Sequence, residues 1–188
     1  MNSFSPNTVI ESAKVNENFD DLADGTAIQS GAITTAKIAD DAVTPAKWVN
    51  PYCFRAYPSV ATTVADAADT KITFGTEDYD YNNNFASSTY TVPVNGVYNF
   101  SGRVEYATSI ASGVNAYTVL YVNGSPTVKG SQLGSAFVTS AGMIISADVK
   151  LNAGDTVELW AYQDSAGTEA TATASASIWF AGHLVHAI

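Results

Sequence analysis

Positive charge, cysteine and long apolar runs are all scarce in this sequence of 188 residues, and each shortage excludes a class of function. Eight Lys and Arg residues against eighteen Asp and Glu residues give a formal net charge of −10. Binding to nucleic acid, or to an anionic membrane surface, depends on clustered Lys and Arg side chains, so we predict neither partner. The single cysteine, Cys53, cannot form a disulfide within one chain. No run of about 18 apolar residues is present, so the sequence also predicts no membrane insertion.

Histidine is scarce as well, which leaves little material for catalysis. His183 and His186 are the only two histidines. On a strand, a spacing of three predicts that they point to opposite faces, where they cannot share a metal ion. They also offer no Ser-His-Asp triad. We therefore predict that the protein is not an enzyme and has no catalytic residue, cofactor-binding residue or metal-ligating histidine pair.

The sequence does have the residues of a β protein. Hydrophobic residues make up 46% of the chain and charged residues only 14%, and no long helical pattern follows Trp48. From residue 51 onward, short alternating segments are separated by turn signals such as Asn95-Gly96 and Asn123-Gly124. This pattern predicts a β-sandwich of jelly-roll type. The strand candidates are residues 52–57, 71–74, 89–92, 97–107, 117–122, 127–130, 137–151, 156–162 and 175–185.

The first 24 residues read as an extended arm followed by a short helix over residues 12–24. Val15, Phe19 and Leu22 are spaced by four and then three, which forms a single heptad seam on that helix. A lone helix of about 13 residues is marginal in water, so the seam needs a partner. That partner could be other copies of the chain or a docking surface on a larger particle. The alternative is that the helix packs on the chain's own β body.

Residues 25–50 carry an apolar residue at every fifth position. A ten-residue repeat overlies this period, because residues 32–40 match residues 42–50 at most positions. A period of five suits neither a helix nor a strand of a single chain, whereas several chains wound about one axis could bury it. We interpret the segment as a stalk; the alternative is a low-complexity linker. The stripe consists of Ile28, Ile33, Ile38, Val43 and Trp48.

Three segments of the β body resemble motifs of the C1q/TNF-like jelly roll. They are residues 90–100 (YTVPVNGVYNF), 151–159 (LNAGDTVEL) and 177–184 (SIWFAGHL), in the order of that family. The resemblance implies a ten-strand jelly roll from about residue 51 to the end that assembles as a three-fold trimer. The collagen repeat that precedes many animal members is absent. The motif residues are Tyr90, Pro93, Gly96, Tyr98, Phe100, Gly154, Asp155, Phe180 and Gly182.

The first fifty residues resemble a different class of protein, the fibre and tail-associated proteins of bacteriophages. Residues 14–22 (KVNENFDDL) are similar to a segment common near the start of those proteins, and residues 32–47 are similar to their shaft repeats. The N-terminus also shows no secretory signal, which agrees with release by cell lysis. Together these features predict a homotrimeric fibre, spike or head-decoration protein on the external surface of the virion. Residues 1–24 would anchor it to a capsid, neck or tail protein.

A tyrosine-rich segment, predicted as a loop over residues 77–85, is the candidate surface-binding site. Asp78, Tyr79, Asp80 and Tyr81 could bind Ca²⁺ through carboxylate oxygens or stack a host-surface sugar on a tyrosine ring. The alternative is a solvated surface loop. Two other functions stay open at this point: a carbohydrate-binding or weakly glycan-degrading receptor-binding module, and a bacterial surface adhesin.

Overall fold

In a computed structural model of the protein, residues 52–111, 113–133 and 142–188 are described. They belong to one compact unit, Asn50–Ile188. These residues form thirteen strands, and none of them is in a helix. No helix able to cross a membrane is found in this part of the chain. The predicted anchor helix, its seam and the every-fifth stripe lie outside the described residues.

The strands vary from two to ten residues in length. Their bounds are β1 Cys53–Tyr57, β2 Thr63–Val64, β3 Thr70–Lys71, β4 Thr76–Asp80, β5 Phe85–Ala86, β6 Thr89–Thr91, β7 Gly96–Glu105, β8 Ala116–Val122, β9 Ser125–Leu133, β10 Gly142–Leu151, β11 Thr156–Gln163, β12 Glu169–Ala170 and β13 Trp179–Ala187.

Ten of these strands form two antiparallel paths of five. Sheet I has the order β10-β7-β13-β1-β4, and sheet II has the order β5-β6-β11-β8-β9, with β3 added on β11. A small third sheet pairs β12 with β2. Six of the eight neighbouring pairs join strands that are not consecutive in sequence, as Greek-key connections require, whereas β5–β6 and β8–β9 are hairpins. The predicted mainly-β jelly roll is therefore confirmed.

The strands form where the sequence alternates, because alternate side chains point to opposite faces of a sheet. In β7 every second residue is buried, from Gly96 to Val104, and β11 shows the same alternation from Val157 to Gln163. The buried sides of the two sheets face each other. The core thus lies between the sheets, and each sheet presents one outer face.

Aromatic rings fill the centre of that core. Phe54 on β1 stacks on Phe85 and Tyr90 of sheet II, with ring centroids 4.6 and 4.8 Å away, and meets Phe180 edge-on at 5.1 Å. Gly182 makes room for this packing, because a Cβ there would lie 2.6 Å from the Phe100 ring. Among the family-motif rings, Tyr90 of sheet II also meets Phe100 of sheet I, with ring centroids 5.6 Å apart, so it contributes to joining the two sheets together with Phe54 and Phe85.

Turn residues close one end of the sandwich. Asn123 and Gly124 both have positive φ, as the two-residue turn between β8 and β9 needs. Asp155 accepts hydrogen bonds from the Asn152 backbone N–H at 2.8 Å and the Asn123 side chain at 2.9 Å. Those bonds lower the pKa of the Asp155 carboxyl. Gly154 supplies the positive φ that the β10–β11 turn requires.

Three local expectations were wrong. Residues 76–80 form strand β4 and not a loop, and the last strand begins at Trp179 because residues 175–178 form a turn. The expected strand over residues 71–74 extends only over Thr70–Lys71. Strand β4 escaped notice because it is a sheet edge with no fully buried side chain and therefore lacks the alternation that marks a strand.

Candidate functional site

The outer face of sheet I is the first candidate surface. At its centre, Ser101 on β7 pairs with Ala181 on β13 and with Ser146 on β10. Directly paired residues have side chains on the same face, so this position is lined by small groups. Ser101 and Ala181 are only partly exposed although no other chain covers them. The centre of the face is therefore shallow, and Arg55, which pairs with Ala181 from β1, lies directly beside it.

Large exposed apolar side chains concentrate around this face. Of the six in the described residues, five lie on strands of sheet I or directly after one. Tyr79 and Tyr81 lie at the β4 edge, Ile144 lies on β10 at the opposite edge, and Val185 and Ile188 lie at the end of β13. Ile144 is 53% exposed and Tyr81 is 70% exposed. Among the described residues of sheet II, no comparable concentration is found.

Two arginines brace the turn that precedes β13. Arg55 donates to the Ser175 carbonyl at 3.0 Å and lies over the Trp179 ring, 5.9 Å from its centroid. Arg103 donates to the Ala176 carbonyl at 2.9 Å. Both arginines also form ion pairs, Arg55 with Asp78 and Arg103 with Glu105. They fix the outer surface of sheet I beside its small-residue centre.

The fold gives the two carboxylates of the candidate binding segment different surroundings. Asp78 lies at a bulge of β4 and pairs with Arg55, whereas Asp80 faces inward and accepts a hydrogen bond from the Phe85 N–H at 2.8 Å. Tyr79 and Tyr81 stack on each other, with centroids 5.5 Å apart. The two carboxylates thus serve different structural contacts and do not form a joint set of oxygen ligands.

The two histidines lie on the same face, contrary to expectation. His183 pairs with Asn99 and His186 pairs with Val97, and both partners point outward from β7. The pairing shifts between Leu184 and His186, so one extra residue reverses the alternation. In the described part of the chain, no group of three or more His, Cys, Asp or Glu side chains is arranged to hold a metal ion.

The outer face of sheet II carries stacked aromatic pairs that were not singled out from the sequence. Tyr117 of β8 stacks on Tyr162 of β11 at 4.6 Å, and Tyr121 stacks on Trp160 at 4.3 Å. The two aromatic residues of each strand are separated by an even number of positions, so the sequence already indicated that they share one face of their strand. The stacking could not be predicted, because the sequence does not show that β8 and β11 are neighbours.

A partly buried carboxylate forms several hydrogen bonds on the same face. Glu158 accepts hydrogen bonds from Lys71 at 2.7 Å and Trp160 at 2.9 Å, and its third donor is the Thr89 hydroxyl at 2.9 Å. Burial by itself would raise the pKa of the Glu158 carboxyl. The three hydrogen bonds outweigh burial, and the pKa lies below its ordinary value.

The family-motif residues occupy the core and its turns. Tyr90, Tyr98, Phe100 and Phe180 are fully buried. A Cβ at Gly96 would lie 2.6 Å from the Leu184 side chain, so this glycine allows close approach of β13. Pro93 precedes the turn into β7 and is partly exposed. The proposed trimer seam (Val15, Phe19, Leu22) and the stalk stripe lie outside the described residues and stay predictions.

Comparison with known families identifies the body of the chain. A sequence profile of the C1q domain matches residues 54–185. None of the curated proteins matches the chain as a whole at a significant level.

Several solved structures share the fold. The globular domain of zebrafish complement 1qA has a TM-score of 0.54 and 16% identity, over 73% of this chain and 99% of that one. Murine APRIL gives a TM-score of 0.53 at 8% identity, over 71% of this chain and 98% of that one. Eiger TNF from S. frugiperda gives 0.53 at 11% identity, over 73% of this chain and 92% of that one. At these identities the likeness shows the fold alone.

Proposed function

The chain belongs to the C1q domain family, and we propose that it is a homotrimeric structural protein on the external surface of a bacteriophage particle. Residues 1–24 bind a capsid, neck or tail protein of the particle, and residues 25–50 form a short stalk. The jelly roll is displayed outward for host-surface attachment or for decoration of the particle. The observation that carries the proposed self-association is the exposed apolar rim around the outer face of sheet I.

Self-association is the natural use of that rim. Apolar side chains that cluster on one face mark interaction sites in soluble proteins. Here Tyr79 and Tyr81 lie at one edge of sheet I, and Ile144 lies at the other. Two different patches on one protomer suit a head-to-tail contact, in which the patch at one edge meets the patch at the other edge of the next copy. Such contacts close into a ring when the rotation fits, and three-fold closure is what the family resemblance implies.

The centre of the face suits close approach around an axis. Ser101 and Ala181 have small side chains, so three copies can bring their β7–β13 strands near one another without a void. Their partial exposure in the single chain gives way to full burial in the trimer. The bulge that places His183 and His186 outward puts both at the end of this face.

The N-terminal sequence supports the particle assignment. The seam of Val15, Phe19 and Leu22 and the stripe of every-fifth apolar residues offer hydrophobic surface that one chain cannot bury alone. Three chains brought together by the jelly roll could bury it along a common axis. Both segments also resemble the start and the shaft of phage fibre proteins. Display in three copies then multiplies a weak contact to the host through effective concentration.

The trimer is tested by light scattering during size-exclusion chromatography of the full chain. We expect a mass close to three times 19.7 kDa at micromolar concentration. A stable monomer under these conditions overturns the proposed assembly.

The anchor is tested separately by particle incorporation. Deletion of residues 1–24 should leave a folded trimer that no longer joins particles assembled in its presence. A point variant, Phe19→Ser, should weaken incorporation in the same direction. Asn18→Ser on the polar side of the predicted helix is the matched control. Normal incorporation of the deleted chain contradicts the anchor assignment while leaving the trimer untouched.

A further inference from the structure

A pocket opens on the outer face of sheet II, on the opposite side of the sandwich from the proposed trimer contact. It has a volume of about 270 Å³ and lies along β8 and β9. Its apolar lining includes Val119, Pro126 and Val128, and its polar lining includes Asp69 and Lys129. It is smaller than the sites that hold drug-sized ligands, so it suits one small ring and not an extended chain.

Asp69 brings an acceptor to this pocket. Its Oδ2 accepts a hydrogen bond from the Tyr121 hydroxyl at 2.6 Å. That bond, together with burial, raises the pKa of Tyr121 to about 12. Burial and the same Asp69 carboxylate raise the pKa of Tyr117, whose side chain also lines the pocket. A carboxylate has about four lone-pair positions, so Asp69 can accept a further hydrogen bond from a ligand hydroxyl that enters the pocket.

Lys129 brings a donor to the same pocket. Its ammonium lies 3.7 Å from the centroid of the Tyr117 ring, whose other face is stacked on Tyr162. Within the described ranges, Lys129 forms no ion pair with a carboxylate. The ammonium is therefore held in place by the aromatic ring, and its N–H groups stay available to a ligand oxygen.

The presence of both Asp69 and Lys129 determines which class of ligand fits the pocket. An anion would meet the Asp69 carboxylate, and a cation would meet the Lys129 ammonium, so a ligand of either charge is repelled by one wall. A neutral polyhydroxyl ring satisfies both walls, because each hydroxyl can donate to a carboxylate or accept from an ammonium. The C–H groups of such a ring can contact Val119 and Pro126.

We propose that this pocket binds a single neutral sugar unit of a host-surface glycan, with Asp69 and Lys129 on its hydroxyl groups. The inference rests on the proposed attachment role and gives that role a ligand. The sequence-based candidate, Tyr79 and Tyr81 on sheet I, stays a separate prediction. Since the pocket lies on sheet II, it stays open when sheet I is covered, and a trimer presents three such pockets.

The test is titration of the full chain with free methyl glycosides of glucose, galactose, mannose, N-acetylglucosamine and rhamnose. Saturation-transfer NMR and calorimetry give the binding. We expect at least one of these sugars to bind with a Kd of about 1 mM, as a single small site allows. Asp69→Asn should weaken that binding at least about tenfold while it keeps an acceptor for Tyr121. Asp66→Asn, in the same connection between β2 and β3 but outside the pocket, should bind as the wild type does.

A second variant distinguishes loss of the pocket from loss of the fold. Thr127 lines the pocket and is itself exposed, so Thr127→Trp should fill the space without disturbing the core. It should abolish sugar binding and leave the mass by light scattering unchanged. Absence of binding by all five sugars, or equal loss in Asp66→Asn, overturns the assignment. Sugar binding by a protein that proves to be a monomer would instead contradict the trimer and keep the pocket.

Discussion

The two outer faces of the sandwich differ in how their apolar side chains are covered. On sheet II the aromatic rings are stacked in pairs, Tyr117 on Tyr162 and Tyr121 on Trp160, and the polar groups around them are hydrogen-bonded to each other. On sheet I the centre is lined by small side chains, with Arg55 and Arg103 beside it, and most of the exposed large apolar side chains lie around it. One face is complete within a single chain, whereas the other needs a further surface to cover it.

This difference separates two kinds of function on one scaffold. A face that satisfies its own groups can hold a rigid, preformed pocket for a small ligand. A face that leaves apolar groups in water gains free energy when copies associate. In the two proposed functions, sheet I forms the trimer and sheet II binds the ligand, so neither function covers the surface that the other needs.

The largest effect is expected where both faces depend on the same residue. Phe54 is fully buried and stacks across the core from sheet I onto sheet II. Phe54→Ala removes this ring and leaves a cavity, so we expect a loss of about 3–5 kcal/mol in the free energy of unfolding. Trimer formation and sugar binding should fail together. Denaturant unfolding at fixed protein concentration measures the change.

Val60→Ala is the control for that variant. It truncates an apolar side chain at an exposed position that belongs to neither proposed surface. Its effect on the free energy of unfolding should stay within about 0.5 kcal/mol. If Phe54→Ala is no more destabilising than Val60→Ala, the two faces do not depend on a shared core contact at Phe54.

The next-largest effect is expected for the trimer contact on sheet I alone. Ser101→Arg places a long cation at the small centre of the sheet I face, where the proposed trimer buries it without a partner. We expect the trimer to dissociate at micromolar concentration, which corresponds to an affinity loss of at least about a hundredfold. The circular dichroism of the domain and its sugar binding should persist. Light scattering across a dilution series measures the mass.

Thr91→Arg makes the same addition on sheet II. Thr91 is exposed on β6, far from the sheet I centre, and its side chain points away from the core. This variant should remain a trimer. Equal dissociation of both variants would mean that net charge, and not the identity of the face, controls association.

The strands and rings that form the core could be predicted from the sequence. Alternation identified β7, β8 and β11 closely, because one side of each strand is buried and the hydrophobic pattern records that burial. The motif segments supplied the turns and the ring positions. These features depend on residues that are close together in the sequence, so they can be recognised before the fold is known.

The outer faces could not be predicted in the same way. Strand β4 has no fully buried residue, and its charges and bulge protect a sheet edge, so its sequence resembles a loop. A single bulge moved His186 to the face of His183. The pocket depends on Asp69 reaching β8 from the connection before β3, a contact that spans 52 residues between Asp69 and Tyr121. These features arise from strand pairing, which composition and spacing do not encode.

The smallest expected effect concerns the acid sensitivity of the self-contained face. The pKa of Glu158 is lowered in the folded chain, so its stabilising contribution is full above the ordinary glutamate pKa of about 4.3 and is lost as the pH falls through the folded value. Glu158→Gln should therefore lower the free energy of unfolding by about 1 kcal/mol at pH 7. The difference between variant and wild type should shrink as the pH is lowered toward 3. Denaturant melts at several pH values and one protein concentration measure this trend, with exposed Glu77→Gln as the control. A gap of constant size would show that the three hydrogen bonds to Glu158 do not depend on its charge.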